Sequence, residues 1–255
     1  SAADAASVEL QYGVNAANAC AAVGLPHLVH TTAPHCHKIT GAPVAWCDAK
    51  AMITDYIRQK KIPLTAVNLP VAYERLAGDL KPAKVRDGVY NFEIPTGDEP
   101  FGLIHMRHLG EAVRNIISHR DRYLNKVITL VTDSLTVGQI ADIMNKHLKP
   151  LGTTIGDAKL TLEQARKKNK KVPGNEAVMN WCQYILAGPA DPQHEEYKSM
   201  AMGRKLMPSA KMFDDWVREN KEVLADALQR QRIPGAAGRE RSILSNMKSL
   251  SLETT

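Results

Sequence analysis

Phe, Tyr and Trp together make up only 5% of this 255-residue chain. A core so poor in rings has to be built mainly from Ala, Val, Leu, Ile and Met. Cysteine is sparse as well. Cys20, Cys36, Cys47 and Cys182 form no C-x-x-C pair, so no disulfide framework is expected and a reducing, cytoplasmic compartment is. No apolar run approaches the roughly 20 residues that a membrane-spanning helix needs, and no secretory signal opens the chain, which predicts a soluble protein. Internal repeats are lacking. The first residue is Ser1 rather than a methionine, and upstream residues are expected on that ground.

What is present is ordinary globular composition, 44% apolar and 24% charged. The length suits one large domain, or a core with a smaller appended region. The net charge of +6 favours acidic partners: nucleic acid, an anionic membrane face or an acidic protein surface.

Along the chain, an Ala-rich helix over 1–24 ends at Gly24, with Pro26 just beyond it. His27 to Thr32 reads as a short strand and Pro34 to Gly41 as a loop. Ala45 to Gln59 reads as a helix with Ile53, Tyr56 and Ile57 on its apolar face, and Leu64 to Leu69 as a strand stopped by Pro70. A strand, a helix and a strand of these lengths make a β-α-β unit, which implies parallel strands and a right-handed crossover. Residues 71–107 read as irregular, with turn signals at Asp87-Gly88 and Thr96-Gly97-Asp98. Further helices are expected over Leu109–Ser118, Ser134–His147, Thr161–Lys171, Asn175–Ala187 and Ser209–Leu228, and a third strand over Lys126–Thr132. Residues 1–229 form the expected domain. Residues 230–255 read as a basic, flexible tail that ends in a short amphipathic segment.

The order and spacing of several stretches resemble the later two-thirds of an NmrA-like protein, an atypical branch of the short-chain dehydrogenase superfamily. These are Val23-Gly-Leu-Pro-His-Leu-Val-His30, Ile62-Pro-Leu-Thr-Ala-Val-Asn-Leu-Pro70 with Tyr73-Glu-Arg-Leu76, Ile94-Pro-Thr-Gly-Asp-Glu-Pro100 with His108-Leu-Gly110, and Gly156-Asp-Ala-Lys-Leu-Thr161. The resemblance implies an α/β fold: a partial Rossmann-type parallel sheet with helices on both faces, and a smaller, mainly helical C-terminal region. Two departures stand out. The family's G-x-x-G-x-x-G turn, which seats a pyrophosphate at a helix N-terminus, is not found in these 255 residues. The superfamily's Tyr-x-x-x-Lys dyad aligns with Trp46-Cys-Asp-Ala-Lys50. An indole N–H only donates, so it can be neither acid nor base. The resemblance therefore implies a sensor or regulator rather than an oxidoreductase. No catalytic residue is assigned, and no cofactor is expected for the chain as given. Should an N-terminal portion exist upstream, NADP(H) is the implied cofactor, with Lys50, Pro70 and Tyr73 lining its nicotinamide side. Without the family's fourth strand, the strand His27–Thr32 is expected to keep one unpaired edge, which an upstream portion or a partner would cover.

Other clusters are weaker. His27, His30, His35, Cys36 and His37 crowd into eleven residues, but His27 and His30 are three apart on a strand and point to opposite faces, so no metal site is expected. Neither Cys36 nor Cys47 has the paired base and orienting group of a nucleophile. Arg166, Lys167, Lys168, Lys170 and Lys171 form the strongest basic run. It reads either as a solvated helix end or as a contact for an acidic surface, and no interleaved aromatics favour single-stranded nucleic acid. In the tail, Ile243, Leu244, Met247 and Leu250 fall on one helical face and form a candidate docking segment. Two functional readings follow. One is a non-catalytic interaction subunit of a larger assembly, such as a cytoskeletal or ciliary polymer lattice or a ribonucleoprotein, with an acidic protein as partner. The other is an NADP(H)-binding redox sensor whose glycine-rich turn lies upstream of Ser1. An enzyme acting on a quinone is a distant third.

Overall fold

The computed structural model describes residues 2–172, 174–188 and 200–231, with the side chains of residues 2–4 left aside. It opens on helix α1 (Ala2–Ala22), closed by Gly24 at φ +59. Strand β1 (Leu28–Thr32), helix α3 (Ala45–Gln59) and strand β2 (Leu64–Asn68) form the expected β-α-β unit, with β1 parallel to β2 from Leu28↔Leu64 to Thr32↔Asn68. On the far side of β2 lies β7 (Val127–Thr129), also parallel, giving the order β1-β2-β7. Among the described residues β1 is hydrogen-bonded on one side only.

Side-chain alternation divides the two faces of this sheet. Leu64 and Ala66 of β2 face Ala17 of α1 and Ile53 and Ile57 of α3. Val67, the next residue after Ala66, faces the other way, onto Ala112 and Ile116 of α4 (Leu109–Ser118). Helices thus cover both faces, as a parallel sheet requires. Gly13 makes the α1–α3 approach close: a Cβ there would lie 2.4 Å from Ile53 Cδ1.

The stretch 71–107, expected to be irregular, is not. It holds β3 (Val71–Ala72), a 3-10 turn (Tyr73–Leu76), the hairpin of β4 (Ala83–Arg86) and β5 (Val89–Phe92) around Asp87-Gly88, and β6 (Phe101–Ile104). These strands are two to four residues long, too short to display a period of two, so only their turns were visible in the sequence. Two small mixed sheets result: β3-β6-β8, with β8 at Asp133–Leu135, and β4-β5-β9, with β9 at Thr154–Asp157. Ser134, expected to open a helix, lies in β8. Helix α6 (Val137–Leu148) starts later, behind a capping box of Thr136 and Gln139. The expected loop 34–41 contains one helical turn, α2 (Cys36–Thr40). Two four-to-seven-residue elements went unforeseen, α5 (Arg120–Tyr123) and α9 (Met200–Leu206).

The C-terminal helices α7 (Leu162–Lys168), α8 (Asn175–Leu186) and α10 (Phe213–Gln229) pack with the small sheets around the largest core cluster, which includes Tyr73, Tyr90, Phe92, Phe101, Trp181, Phe213 and Trp216. The few rings of the chain are thus gathered largely into one place.

Candidate functional site

Thr32, Asn68 and Thr129 end the three parallel strands and are register partners, so their side chains leave one face of the sheet side by side. The carboxyl ends of parallel strands are where an open α/β sheet binds ligands. Helix α3 roofs this corner. Thr54 Oγ1 lies 2.7 Å from Thr32 Oγ1 and 3.0 Å from the Lys50 carbonyl oxygen. Asn68 is 1% exposed, and both atoms of its amide lack a protein partner, as does the hydroxyl of the buried Thr129. Buried polar groups without partners are costly, about 1–3 kcal/mol each, and a cluster of them marks a place built for something beyond packing. His30, one step back on the same face, has its Nε2 unpartnered too. Burial lowers its pKa against the opposing pull of a hydrogen bond to the Lys50 backbone, which favours the neutral ring.

The dyad position lies at the start of α3. Trp46 packs, half-buried, against the largest core cluster. Lys50, one turn on, reaches back to α1, its Nζ 2.5 Å from Glu9 Oε1. The side chain that a tyrosine would need as its partner is therefore held by a carboxylate of a different helix.

Tyr73 is one of the residues that the resemblance would place on the nicotinamide side of a bound NADP(H). It is fully buried. Its phenol donates to the Asp133 carboxylate, lies 2.8 Å from Thr132 Oγ1, and is ringed by Phe213 and Trp216 at 5.2 and 5.6 Å between centroids. Burial and the neighbouring Asp133 charge raise its pKa far above the usual phenol value. Pro70 is buried as well. The reason is local: β3 carries the chain from Pro70 directly into the small sheet, and the 3-10 turn tips Tyr73 into the core.

The basic run is divided. Arg166 is turned inward, donating to Glu176, to Asn180 Oδ1 at 2.9 Å and to Gln183 Oε1 at 3.2 Å, and so pins α7 to α8. Lys168 pairs with Glu93 at 2.6 Å. Lys167, Lys170 and Lys171 are exposed. Of the run, Arg166 thus joins two helices, and Lys167, Lys170 and Lys171 are the cations left exposed. Ile243, Leu244, Met247 and Leu250 lie outside the described residues. The histidines separate: His35 Nε2 lies 2.9 Å from Asp55 Oδ2, and His27 Nε2 lies 2.8 Å from Thr65 Oγ1. Among the described residues no three His, Cys, Asp or Glu side chains gather as metal ligands, and no helix is long and apolar enough to cross a membrane.

The model of the NmrA-like family matches residues 1–177. The chain belongs to the NmrA-like family. Among solved structures it is similar to NmrA, described as a negative transcriptional regulator and solved in complex with NADP, at 15% identity and a TM-score of 0.65, covering 86% of this chain and 71% of that one. It is also similar to an NADPH-dependent quinone oxidoreductase of Escherichia coli (18% identity, TM-score 0.60, 81% of this chain and 72% of that one). The triphenylmethane reductase of a Citrobacter species is a third likeness (17% identity, TM-score 0.59, 84% and 72%). At these identities the NmrA-like chain shares the fold with its neighbours, and the parallel sheet with helices on both faces is that fold. The residues that sequence reasoning missed are Asn68 and Thr129. Their positions within strand-like stretches were plain, but that their polar atoms would be buried together depends on register.

Proposed function

We propose that this chain is a non-catalytic NmrA-like protein that works by contact, as a structural or regulatory interaction subunit of a larger assembly. The observation that carries this reading is the state of the dyad position: Trp46 packed on the core, and Lys50 ion-paired to Glu9. Neither side chain is placed to shuttle a proton, and indole has no lone pair or acidic proton to use near pH 7. The net charge of +6 supports a partner with an acidic surface, ahead of nucleic acid. Four cysteines that make no disulfide support a reducing, cytoplasmic setting.

A second reading, an NADP(H)-binding regulator, is favoured by the unpartnered Asn68 amide and Thr129 hydroxyl at the carboxyl ends of the strands. These groups suit the polar edge of a bound dinucleotide ring. Residues 1–255 contain no glycine-rich cradle for its pyrophosphate, so this reading takes that turn from outside them.

One experiment separates the two. The natively purified protein is titrated with NADPH by calorimetry, and NADPH oxidation is followed with quinone acceptors. Neither heat of binding nor oxidation is expected. Micromolar binding without turnover moves the assignment to the regulator, and turnover sinks the non-catalytic proposal.

A further inference from the structure

The end of the parallel sheet opposite to Asn68 and Thr129 carries a surface of a different kind. Because β1, β2 and β7 run parallel, the turns that feed them gather at one end. Residues 58–63 lead into β2 and residues 119–126 into β7. Together they hold six Lys or Arg against one acid, Asp121, in a chain whose net charge is +6. The fold thus brings together cations that lie some 60 residues apart in sequence and form no run there.

Arg58, Lys61, Asn125 and Lys126 line a concavity of about 380 Å³ at this end, together with the largely buried Ile62 and Leu64. Lys61 and Lys126 have no carboxylate partner among the described residues, and Arg58 is only loosely held, 3.6 Å from Asp55. Two of the three non-glycine residues with positive φ among the described residues, Lys61 at 55° and Asn125 at 59°, lie on this rim. Both turns are of the sort that glycine makes without strain. A lysine and an asparagine hold them instead, and both side chains border the cleft. Strain kept at a concave cationic rim points to a binding role. The backbone N–H groups are already engaged, Lys61 N with Arg58 O at 2.9 Å and Asn125 N with Leu64 O at 2.6 Å, so recognition falls to the side chains.

We propose that this end of the sheet is a docking surface for an acidic segment of a partner protein. The three cations on the rim, Arg58, Lys61 and Lys126, suit the carboxylates of Glu and Asp side chains. Base stacking has little to use here. Lys60 covers the Tyr56 ring at 5.3 Å, and Tyr123 is 4% exposed with Arg122 over its ring at 5.8 Å. The inference rests on the interaction-subunit reading and names a surface for it. The NADPH assays above test that reading separately, without reference to this surface.

The test uses the intact protein and a fluorescein-labelled oligo-glutamate peptide as probe, followed by anisotropy. Binding that weakens as salt rises is expected. The double variant Lys61→Glu/Lys126→Glu should lose roughly tenfold or more in affinity, as reversal of rim charges does. Lys61→Gly separates binding from folding. It relieves the left-handed turn and should raise the melting temperature, yet weaken binding. Replacing Lys167, Lys170 and Lys171 with Ala should change nothing. The proposal is overturned by three results: no binding of the peptide, unaltered binding by Lys61→Gly and by the double variant, or a short duplex of equal charge that displaces the peptide from the parent protein.

Discussion

Gly203 shows how much a single residue can decide. It lies on α9 where that helix crosses the backbone that follows β7, and a Cβ there would stand 2.1 Å from the Val131 carbonyl oxygen. Backbone cannot yield as a side-chain tip can. Gly203→Ala should therefore cost about 3 kcal/mol, read from urea unfolding midpoints at unchanged slope. Tyr73 is the counterpart among polar residues. Its phenol donates to Asp133, which also accepts from the Phe213 backbone N–H at 3.1 Å and whose own pKa is raised by burial. Tyr73→Phe removes a donor from a buried carboxyl group and should cost about 1–3 kcal/mol. A change of under about 0.5 kcal/mol in the same urea assay would show that the phenol matters little. Lys50→Ala, by contrast, breaks a pair that is about one-third exposed at both ends, 35% and 34%, and should cost less than about 1 kcal/mol.

Helices α6 and α10 lie together through Asp214, whose Oδ1 is 2.9 Å from Lys146 Nζ and 3.0 Å from His147 Nε2. The Lys146 ammonium is the largest influence holding the Asp214 carboxyl below its ordinary range, with His147 adding to it against the opposing effect of burial. A depressed folded-state pKa contributes stability above the unfolded value, near 3.9, and that contribution is lost as pH falls through the folded value. The melting temperature of the parent should therefore exceed that of Asp214→Asn at pH 7, and the gap should close below about pH 4. A gap that is constant across this range would show that the pairing adds nothing. Caps act at the same scale. Thr136 and Thr161 each accept from the backbone N–H of the residue three on, at 3.1 and 3.2 Å, and Gln139 and Gln164 return the bond. Replacing either threonine with Ala should cost about 1 kcal/mol. Such caps are legible in sequence because donor, acceptor and spacing are all local. The short strands β3, β5 and β6 are not, since each pairs with a strand that is distant in sequence, as in Val71↔Leu103 and Val89↔Thr154.

At the scale of the whole molecule, three core clusters share elements and so should unfold together. On β6, Leu103 faces the largest cluster and Ile104 the cluster under α4. On α3, Cys47 faces the largest cluster, while Ile53 and Ile57 face the one beneath α1. All three tryptophans, Trp46, Trp181 and Trp216, report on the largest cluster. Tryptophan fluorescence and far-ultraviolet circular dichroism should therefore give coincident thermal transitions. Separate midpoints would mean that the parallel sheet melts apart from the aromatic core.

The sequence by itself determined the β-α-β unit, the helix at 45–59 and the one at 109–118, because apolar spacing, capping residues and breakers such as Pro70 act over a few residues. The same local chemistry made Trp46 legible as an obstacle to proton transfer, whatever its surroundings. Only the tertiary structure decided that Tyr73 is a core residue and that Arg166 clamps α7 to α8, since burial and contact are set by what packs from elsewhere in the chain. It alone also brought Asn68 beside Thr129, through strand register. At the other end of the sheet it gathered Arg58, Lys61 and Lys126, because parallel strands return every feeding turn to the same end.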